Sequence, residues 1–515
     1  MKRNISRRNF IHTSTVVSAG VMATSYRYFS FSKKKPNLLF IWTDEQRADT
    51  MAAYGNQKIR TPNLDRLAKQ SFVFQKTYVT QPVCSASRSS VMSGLYPHTS
   101  GVTYNNIPLS ENILCFPELL NDPDYHTAYM GKWHLGNELF PQHGFDTWIS
   151  IEDQYNSFFS EEKDREARSD YHHWLLEKGY QPSNPKENIF SRSFAASLPI
   201  EHCKPKFLEE KACKYLEAHQ NDPFVLYVNF LEPHMPFTGP LDDMYKPEDT
   251  DLPESFYDSL DENEPLRYRL YRESFIHQYG EKEEDMRQLI AKYWGLVSQV
   301  DKSVGTILDK LEEMGLADNT LVVYTSDHGD MMGAHHMVEK QVMFEEAVRV
   351  PFMLKAPFIS KNQTIIQQRV SQIDIVPTLL DLMGKYIPVS LQGKSLTSLL
   401  KGEVMTEDYI FIEWNPYQNY WQGILKSTQL AGEEEIKRAV LSYTRTVISP
   451  DGWKLCLSNS DHSQLFNLNE DPFETTNLFT NPIYQNRIDF LTTKIEEWQK
   501  ATRDTVDLNK GNYCS

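Results

Sequence analysis

No stretch of this 515-residue chain stays apolar for the roughly 20 residues that a membrane-crossing helix needs, so its body reads as soluble. Cysteine is scarce. Its six positions (84, 115, 203, 213, 456 and 514) are too few to staple a fold of this size and contain no Cys-x-x-Cys zinc spacing. If Cys84 is chemically consumed, five remain, and at least one stays unpaired within a monomer. Internal repeats and low-complexity runs are missing too, which sets aside solenoids and biased-composition tails.

Positive charge is in short supply, and part of it is segregated. The first 36 residues hold Lys2, Arg3, Arg7, Arg8, Arg27, Lys33, Lys34 and Lys35 with no Asp or Glu. Without those eight, 45 basic residues face 69 acidic ones and the net charge moves from -16 to -24. That balance opposes nucleic-acid binding, and an anionic substrate would need a locally basic pocket within a repelling surface. Ser6-Arg7-Arg8-Asn9-Phe10-Ile11 precedes a weakly apolar stretch from Thr13 to Ala23. This looks like a twin-arginine export signal processed after Ala19 or Ala23, the bland alternative being a basic disordered tail. The expectation is passage through an export machinery to the periplasm, with secreted or surface-associated locations as variants.

What is present is organised as an enzyme. Aromatic residues at 12% argue against disorder, and the length calls for two packed domains. Three short apolar runs each end in reactive residues: Asn37–Trp42 before Thr43-Asp44-Glu45, Phe224–Phe230 before Glu232-Pro233-His234, and Leu321–Thr325 before Ser326-Asp327-His328. Near-continuous apolar runs of this kind suit strands buried on both faces of a mainly parallel sheet, which places ligands at the carboxyl ends of its strands. Thr61-Pro62 followed by Leu64, Leu67 and Ala68 predicts a capped helix with Pro at its first position. Apolar residues at a 3.6 period from about 285 to 314 predict a long helix covering one sheet face. Residues 150–215 and 238–284 read as irregular polar and aromatic insertions around the site.

After Gly393-Lys394-Ser395-Leu396 the composition shifts. Strand-like pieces at Ile410–Trp414, Ala439–Thr446, Trp453–Leu457 and Gln464–Leu468 precede an amphipathic stretch at Ile488–Trp498. The expected architecture is α/β: a large mixed, mostly parallel sheet flanked by helices over 36–400. An export segment over 1–35 precedes it, and a smaller α+β domain on an antiparallel sheet over 401–515 follows.

Cys84-Ser85-Ala86-Ser87-Arg88 opens a run of small residues and predicts a helix starting at the cysteine. A helix amino terminus favours a bound sulfate or phosphate group, and an unmodified thiol there is expected to have a depressed pKa. Alone, such a cysteine is more often a small buried residue than a nucleophile. Its company changes that. Cys-x-Ala-x-Arg followed by Ser93-Gly94-Leu95-Tyr96-Pro97-His98 resembles the signature of type I sulfatases of the alkaline phosphatase-like superfamily. The resemblance runs from Pro36 to about Leu478. It continues through Gly131-Lys132-Trp133-His134-Leu135-Gly136, Pro233-His234-Met235-Pro236-Phe237 and Thr325-Ser326-Asp327-His328-Gly329-Asp330. Phe344-Glu345-Glu346, Arg349-Val350-Pro351 and Asp471-Pro472-Phe473-Glu474 complete it.

The resemblance implies a sulfuric-ester hydrolase in which a maturation enzyme oxidises Cys84 to formylglycine before folding. One hydroxyl of the hydrated aldehyde would attack sulfur and expel the alcohol; the other would then drive elimination of sulfate, so covalent catalysis divides one hard step into two. The carboxylates at Asp44, Glu45 and Asp327, with His328, favour a hard cation over zinc. By resemblance one calcium ion per chain is held by Asp44, Asp327, the modified Cys84 and His328. Glu45 stands where Asp is commoner and is read as a ligand, or else as a hydrogen-bonding neighbour of the ligands. Lys132 and Lys340 would neutralise sulfate oxygens, Arg88 would hold the hydrate, His134 would act as base in the elimination, and His234 would protonate or hold the leaving oxygen. His335, His336 and Arg47 are weaker candidates for substrate contacts, while Asp374 and Asp381 read as structural. Export and large insertions point to a sulfated saccharide. Two other readings stand beside this one: a phosphoesterase or phosphonate monoester hydrolase with the same signature, and a carbohydrate-binding relative whose Cys84 is never converted.

Overall fold

The computed structural model describes residues 34–417 and 428–508. The arginine pair at 7–8, the apolar stretch after it and Cys514 lie outside the described residues. Eight strands form one sheet: β1 Asn37–Asp44, β2 Phe72–Tyr78, β3 His126–Gly131, β4 Thr147–Ile149, β5 Phe224–Pro233, β6 Thr320–Ser326, β7 Arg349–Lys355 and β8 Thr364–Ser371. Their order is β4-β3-β5-β1-β6-β7-β2-β8, and only β7 runs antiparallel to its neighbours. All eight residues of β1 are buried, as its unbroken apolar pattern requires of a strand covered on both faces.

The alternation of β1 sorts its side chains between two layers. Leu38, Phe40 and Trp42 pack toward Ile375, Val376 and Leu379 on one face; Leu39 and Ile41 pack toward Val300, Val304, Phe207 and Leu208 on the other. The latter four belong to the Glu283–Glu313 and Lys204–Ala218 helices. The long helix thus covers a sheet face as its 3.6 period predicts, and Pro62–Ala68 forms the short helix read from Thr61-Pro62.

The second sheet is fully antiparallel, with order β12-β11-β10-β9. It comprises β9 Ile410–Trp414, β10 Thr444–Ile448, β11 Trp453–Ser458 and β12 Gln464–Asn467, and the Gln485–Thr502 helix packs on it through Ile488, Leu491 and Ile495. The α/β class, with a large mixed sheet and a smaller antiparallel one, is the architecture expected from sequence. Local details differ. Ala439 and Val440 end the Glu433–Val440 helix instead of starting a strand, because three acidic residues at its first turn and Lys437 and Arg438 near its last complement a helix dipole. The segments read as irregular are also partly helical, at Asp170–Glu177, Arg192–Ala196, Lys204–Ala218 and Leu266–Tyr279. Their polar residues hid the helical apolar stripes.

Lys454 of β11 ties the small sheet to the short Glu345–Val348 helix before β7. It is fully buried, 2.8 Å from Glu474 Oε1 and 3.1 Å from Glu345 Oε1. Removing one partner of such a buried cluster strands the other charges in a medium that cannot solvate them. Lys454→Met is therefore expected to cost about 3–5 kcal/mol. Chemical denaturation measures this, and a loss below about 1 kcal/mol would show that the cluster is not a structural tie.

Candidate active site

Four parallel strand ends deliver the reactive residues to one place. β1 ends on Asp44, β6 ends just before Asp327-His328, β3 just before Lys132, and β5 just before His234. Register pairs Thr43 with Ser326, Asp44 with Pro233, and Gly131 with Asn229, so these ends lie level across the sheet. Gly131 is required there. Its φ is +116°, and a Cβ would stand 1.9 Å from the Asn229 carbonyl oxygen.

Cys84 arrives as the first residue of the Cys84–Ser93 helix, which is buried along its whole length. Its serines serve as anchors. Ser85 Oγ donates to the His134 carbonyl at 2.6 Å, and Ser87 Oγ lies against the Asp327 carbonyl and 2.9 Å from Gln372 Oε1. Larger residues would hold the helix off the strand ends.

Cys84 Sγ is 3.1 Å from His328 Nε2 and 3.7 Å from Asp44 Oδ1. His328 Nε2 is in turn 3.7 Å from Asp327 Oδ1 and 3.9 Å from Asp44 Oδ1. One ligand atom from each of Asp44, Cys84, Asp327 and His328 lies within 4.8 Å of the other three, and all four residues are buried. His328 Nδ1 is 2.9 Å from the Gly329 carbonyl; with its proton there, Nε2 turns a lone pair into the cluster. Two carboxylates, an imidazole nitrogen and the residue-84 atom fit a single cation, and the carboxylates suit a hard one.

Glu45 sits differently. Its ligand atom groups with Asp44 and His234 and not with the other three, and its φ of +70° turns the chain away from β1. Glu45 Oε2 accepts from Lys340 Nζ at 2.9 Å and lies 3.5 Å from His234 Nε2, while Oε1 is buried with no partner. Burial, with Asp330 and Glu339 nearby, holds Glu45 well above the usual carboxylate range against the pull of Lys340. Burial also raises Asp330, to about 6.

The cations are arranged behind the cluster. Arg88 is fully buried and spends all three nitrogens: Nε on Asp327 Oδ2 at 2.8 Å, Nη2 on Asp44 Oδ2 at 2.9 Å, and Nη1 on the Lys132 carbonyl at 2.8 Å. Its guanidinium lies 5.0 Å over the Trp42 ring. Lys132 Nζ reaches Asp44 Oδ2 at 2.5 Å. Burial works against ionisation of Asp44, but Lys132 and Arg88 outweigh it and hold the carboxyl well below its ordinary range.

Both candidate histidines are kept neutral. Burial lowers His134 strongly, reinforced by Lys132 and Arg88, and burial with Lys340 does the same to His234. His134 has φ +60°, a strained conformation fixed by its N–H on Glu138 Oε2 at 2.7 Å, with its Nε2 3.0 Å from Asn106 Oδ1. His234 Nδ1 lies 2.9 Å from the Met235 carbonyl, leaving Nε2 to accept from Lys340 Nζ at 3.3 Å.

One expectation is reversed. The helix start was expected to depress the Cys84 thiol pKa, yet burial, with Asp44 beside it, pushes the thiol up to about 12. Desolvation in a closed, carboxylate-lined site outweighs the helix dipole. Among the weaker candidates, His335 is fully buried, bonded to Asp258 at 2.6 Å and stacked on Phe344 at 3.8 Å; His336 stacks on Phe256. Arg47 pairs with Asp49 and with the Met331 carbonyl, beside a cavity of about 570 Å³ that includes no residue of the Cys84 cluster. His335 and His336 are packed in the interior, whereas Arg47 is itself part of that cavity's lining. Asp374 bonds the Ser371 and Lys394 amides, as a structural carboxylate would.

Sequence reasoning missed Asn106, Glu138, Tyr155, Arg192 and Asn229. Asn229 gave the one usable signal, a polar residue inside the apolar run Phe224–Phe230; its Nδ2 bonds the Lys132 carbonyl at 2.5 Å. Asn106, Glu138 and Tyr155 lie in loops and Arg192 opens a short helix, and none of the four has a local pattern that sets its place against the sheet.

Comparison with known proteins matches residues 36–385 to the sulfatase family model and residues 333–501 to that of the N-sulphoglucosamine sulphohydrolase C-terminal region. An ulvan-active sulfatase of Formosa agariphila is 29% identical, with 93% of this chain and 85% of the relative covered. An N-acetylglucosamine-6-O-sulfatase of Bacteroides thetaiotaomicron is 26% identical over 92% of this chain and 87% of its own. Among solved structures, a phosphonate monoester hydrolase from Silicibacter pomeroyi superposes with a TM-score of 0.74 at 20% identity, covering 93% of this chain and 97% of that one. That last likeness speaks to the fold alone.

The raised thiol pKa has a direct consequence. In protein produced without any conversion of residue 84, Cys84 is expected to resist iodoacetamide near pH 8 while folded and to react once denatured. Peptide mass analysis of labelled and unlabelled protein measures this. Native labelling at the rate of a free thiol would contradict the closed site described here.

Proposed function

Since the chain belongs to the sulfatase family and is a sulfatase, we propose that it removes sulfate from a sulfated carbohydrate, through a formylglycine formed from Cys84 and one calcium ion. The observation that carries the reading is the convergence of Asp44, Cys84, Asp327 and His328, with Lys132, His134, His234 and Lys340 around it. The two curated relatives named for ulvan and for N-acetylglucosamine-6-O-sulfate support the carbohydrate half.

Each residue has work suited to its surroundings. Arg88 holds Asp44 and Asp327 in place through an ion pair to each. Asp44, Asp327 and His328 would hold the cation, with Glu45 either reaching it or orienting Lys340 and His234. The cation, when bound, polarises the sulfate and lowers the pKa of the attacking hydroxyl. Lys132 and Lys340 supply positive charge for the sulfate oxygens without reorganisation. Neutral His134 can accept the proton of the second hydroxyl as sulfate is eliminated. The Lys340–His234 pair, already hydrogen-bonded, passes a proton to the departing alcohol oxygen.

The segment carrying Arg7 and Arg8 supports an exported, periplasmic enzyme; among the described residues no helix is long and apolar enough to cross a membrane. Activity on phosphonate or phosphate monoesters beside sulfate esters is the second reading, since the Cys84 signature does not distinguish the two. A non-catalytic binding protein fits less well, because every candidate position carries a competent side chain.

Inorganic sulfate release from sulfated oligosaccharides is expected to vanish in Cys84→Ala and after chelation, and to return on adding calcium. Persistence of activity in both would sink the proposal. Lys132→Ala is expected to lower kcat by about 10²–10³, as for loss of one transition-state donor. Matched sulfate and phosphate esters decide between the two hydrolase readings: faster phosphate release would favour the second. Intact peptide mass at residue 84 reports the thiol-to-aldehyde conversion directly.

A further inference from the structure

The segment between β4 and β5 places a second cationic group against the active site. Arg192, at the start of the Arg192–Ala196 helix, donates from Nη2 to the Tyr155 hydroxyl at 2.8 Å. The Tyr155 ring packs on the His134 ring, with centroids 4.6 Å apart. Arg192 and His234 also line one small cavity. Arg192 is therefore one phenol ring away from one candidate catalytic histidine and across a cavity from the other.

Charge counting separates this arginine from those beneath the sulfate site. Asp44 and Asp327 are matched by Arg88 and Lys132, and Glu45 faces Lys340. Beside them, Glu152 alone faces two cations. Its Oε2 accepts from Arg192 Nε at 2.6 Å, and its Oε1 pairs with Lys204 Nζ. Glu232 borders the same cavity, but burial raises it to about 7, so it does not supply a full compensating charge. The Arg192–Glu152–Lys204 group thus carries a surplus positive charge inside a chain whose overall charge is strongly negative. Arg192 Nη1 bonds no described residue and is not among the sealed polar atoms. A guanidinium fixed on two sides with a third nitrogen left over is arranged to bind a planar or tetrahedral oxyanion.

We propose that Arg192, held by Glu152 and Tyr155, forms a second anion subsite that takes another carboxylate or sulfate on the same saccharide. The proposal rests on the sulfated-carbohydrate reading and narrows it to substrates with a further negative group near the scissile ester. Arg192 is a specificity-determining residue in this scheme; Glu152 and Lys204 position it.

The test compares sulfate release within matched pairs: a sulfated hexuronate against its methyl ester, and glucosamine 6-sulfate with an N-sulfate against an N-acetyl group. The wild-type protein is expected to prefer the charged member of at least one pair by roughly ten- to hundredfold in kcat/KM, mostly through KM, the scale of a hydrogen bond to a charged group. Which pair responds tells a carboxylate from a second sulfate. Arg192→Gln is expected to bring that ratio close to one, and Arg192→Lys to restore part of it. A ratio near one for both pairs in the wild-type protein overturns the subsite without any variant having to fold. Equal loss on both members in Arg192→Gln makes Arg192 a strut and overturns it too. Release from neither pair, but from aryl sulfates alone, would overturn the carbohydrate reading itself.

Discussion

Everything at this site depends on holding two buried carboxylates, Asp44 and Asp327, side by side at the level ends of adjacent strands. Two bare carboxylates there would repel one another and shed charge by taking up a proton. Arg88 prevents this by bonding both, and its third nitrogen bonds the Lys132 carbonyl on the next strand end but one. Arg88 also lies four residues after Cys84, one helical turn away and on the same helix face. A single guanidinium therefore locks β1, β6, the loop after β3 and the helix of residue 84 into one geometry. A lysine could neutralise charge but could not present three donors in fixed directions.

The same burial that protects this arrangement disables a plain thiol. With its pKa pushed to about 12 by the protein alone, an unconverted Cys84 without a bound cation would be almost wholly protonated near neutrality and a weak nucleophile. The enclosure has a second consequence: with residue 84 only 1% exposed at the start of a buried helix, a modifying enzyme could not reach it in the folded chain. Conversion of residue 84 before folding is consistent with both facts.

Much of this was legible because strand burial and strand ends leave marks in sequence. β1, β5 and β6 announced themselves as apolar runs, and the polar residues immediately after them are the ones that converge. Lys132 and His134 were legible only through resemblance, because β3 is short, begins with an exposed histidine and lacks a long apolar run. Pattern failed where polar residues face a protein interior. Asn106 is a loop residue whose partner comes from elsewhere in the chain, Glu138 caps the amides of Trp133 and His134 within an irregular loop, and Glu45, next to Asp44 in sequence, is turned toward Lys340 by a positive φ that no local motif encodes. The thiol pKa failed for another reason: a helix dipole can be read locally, whereas desolvation is a property of the assembled core.

A division of labour follows from how the hydrogen bonds are spent. At the strand ends the donors are committed to one another: Arg88 to three strand ends, Asn229 to the Lys132 carbonyl and to Tyr129, and Ser85 and Ser87 to the loops that carry His134 and Asp327. Such a floor is rigid and has little left with which to recognise anything beyond the group bound directly on it. Discrimination between one ester and another has to come from residues reaching over that floor from the side. Tyr155 and Arg192 do so from a segment that the sheet does not need for its own closure, and they are less buried than any of the residues beneath them. Reaction chemistry and substrate choice thereby sit on separate parts of the chain, joined where Tyr155 meets His134.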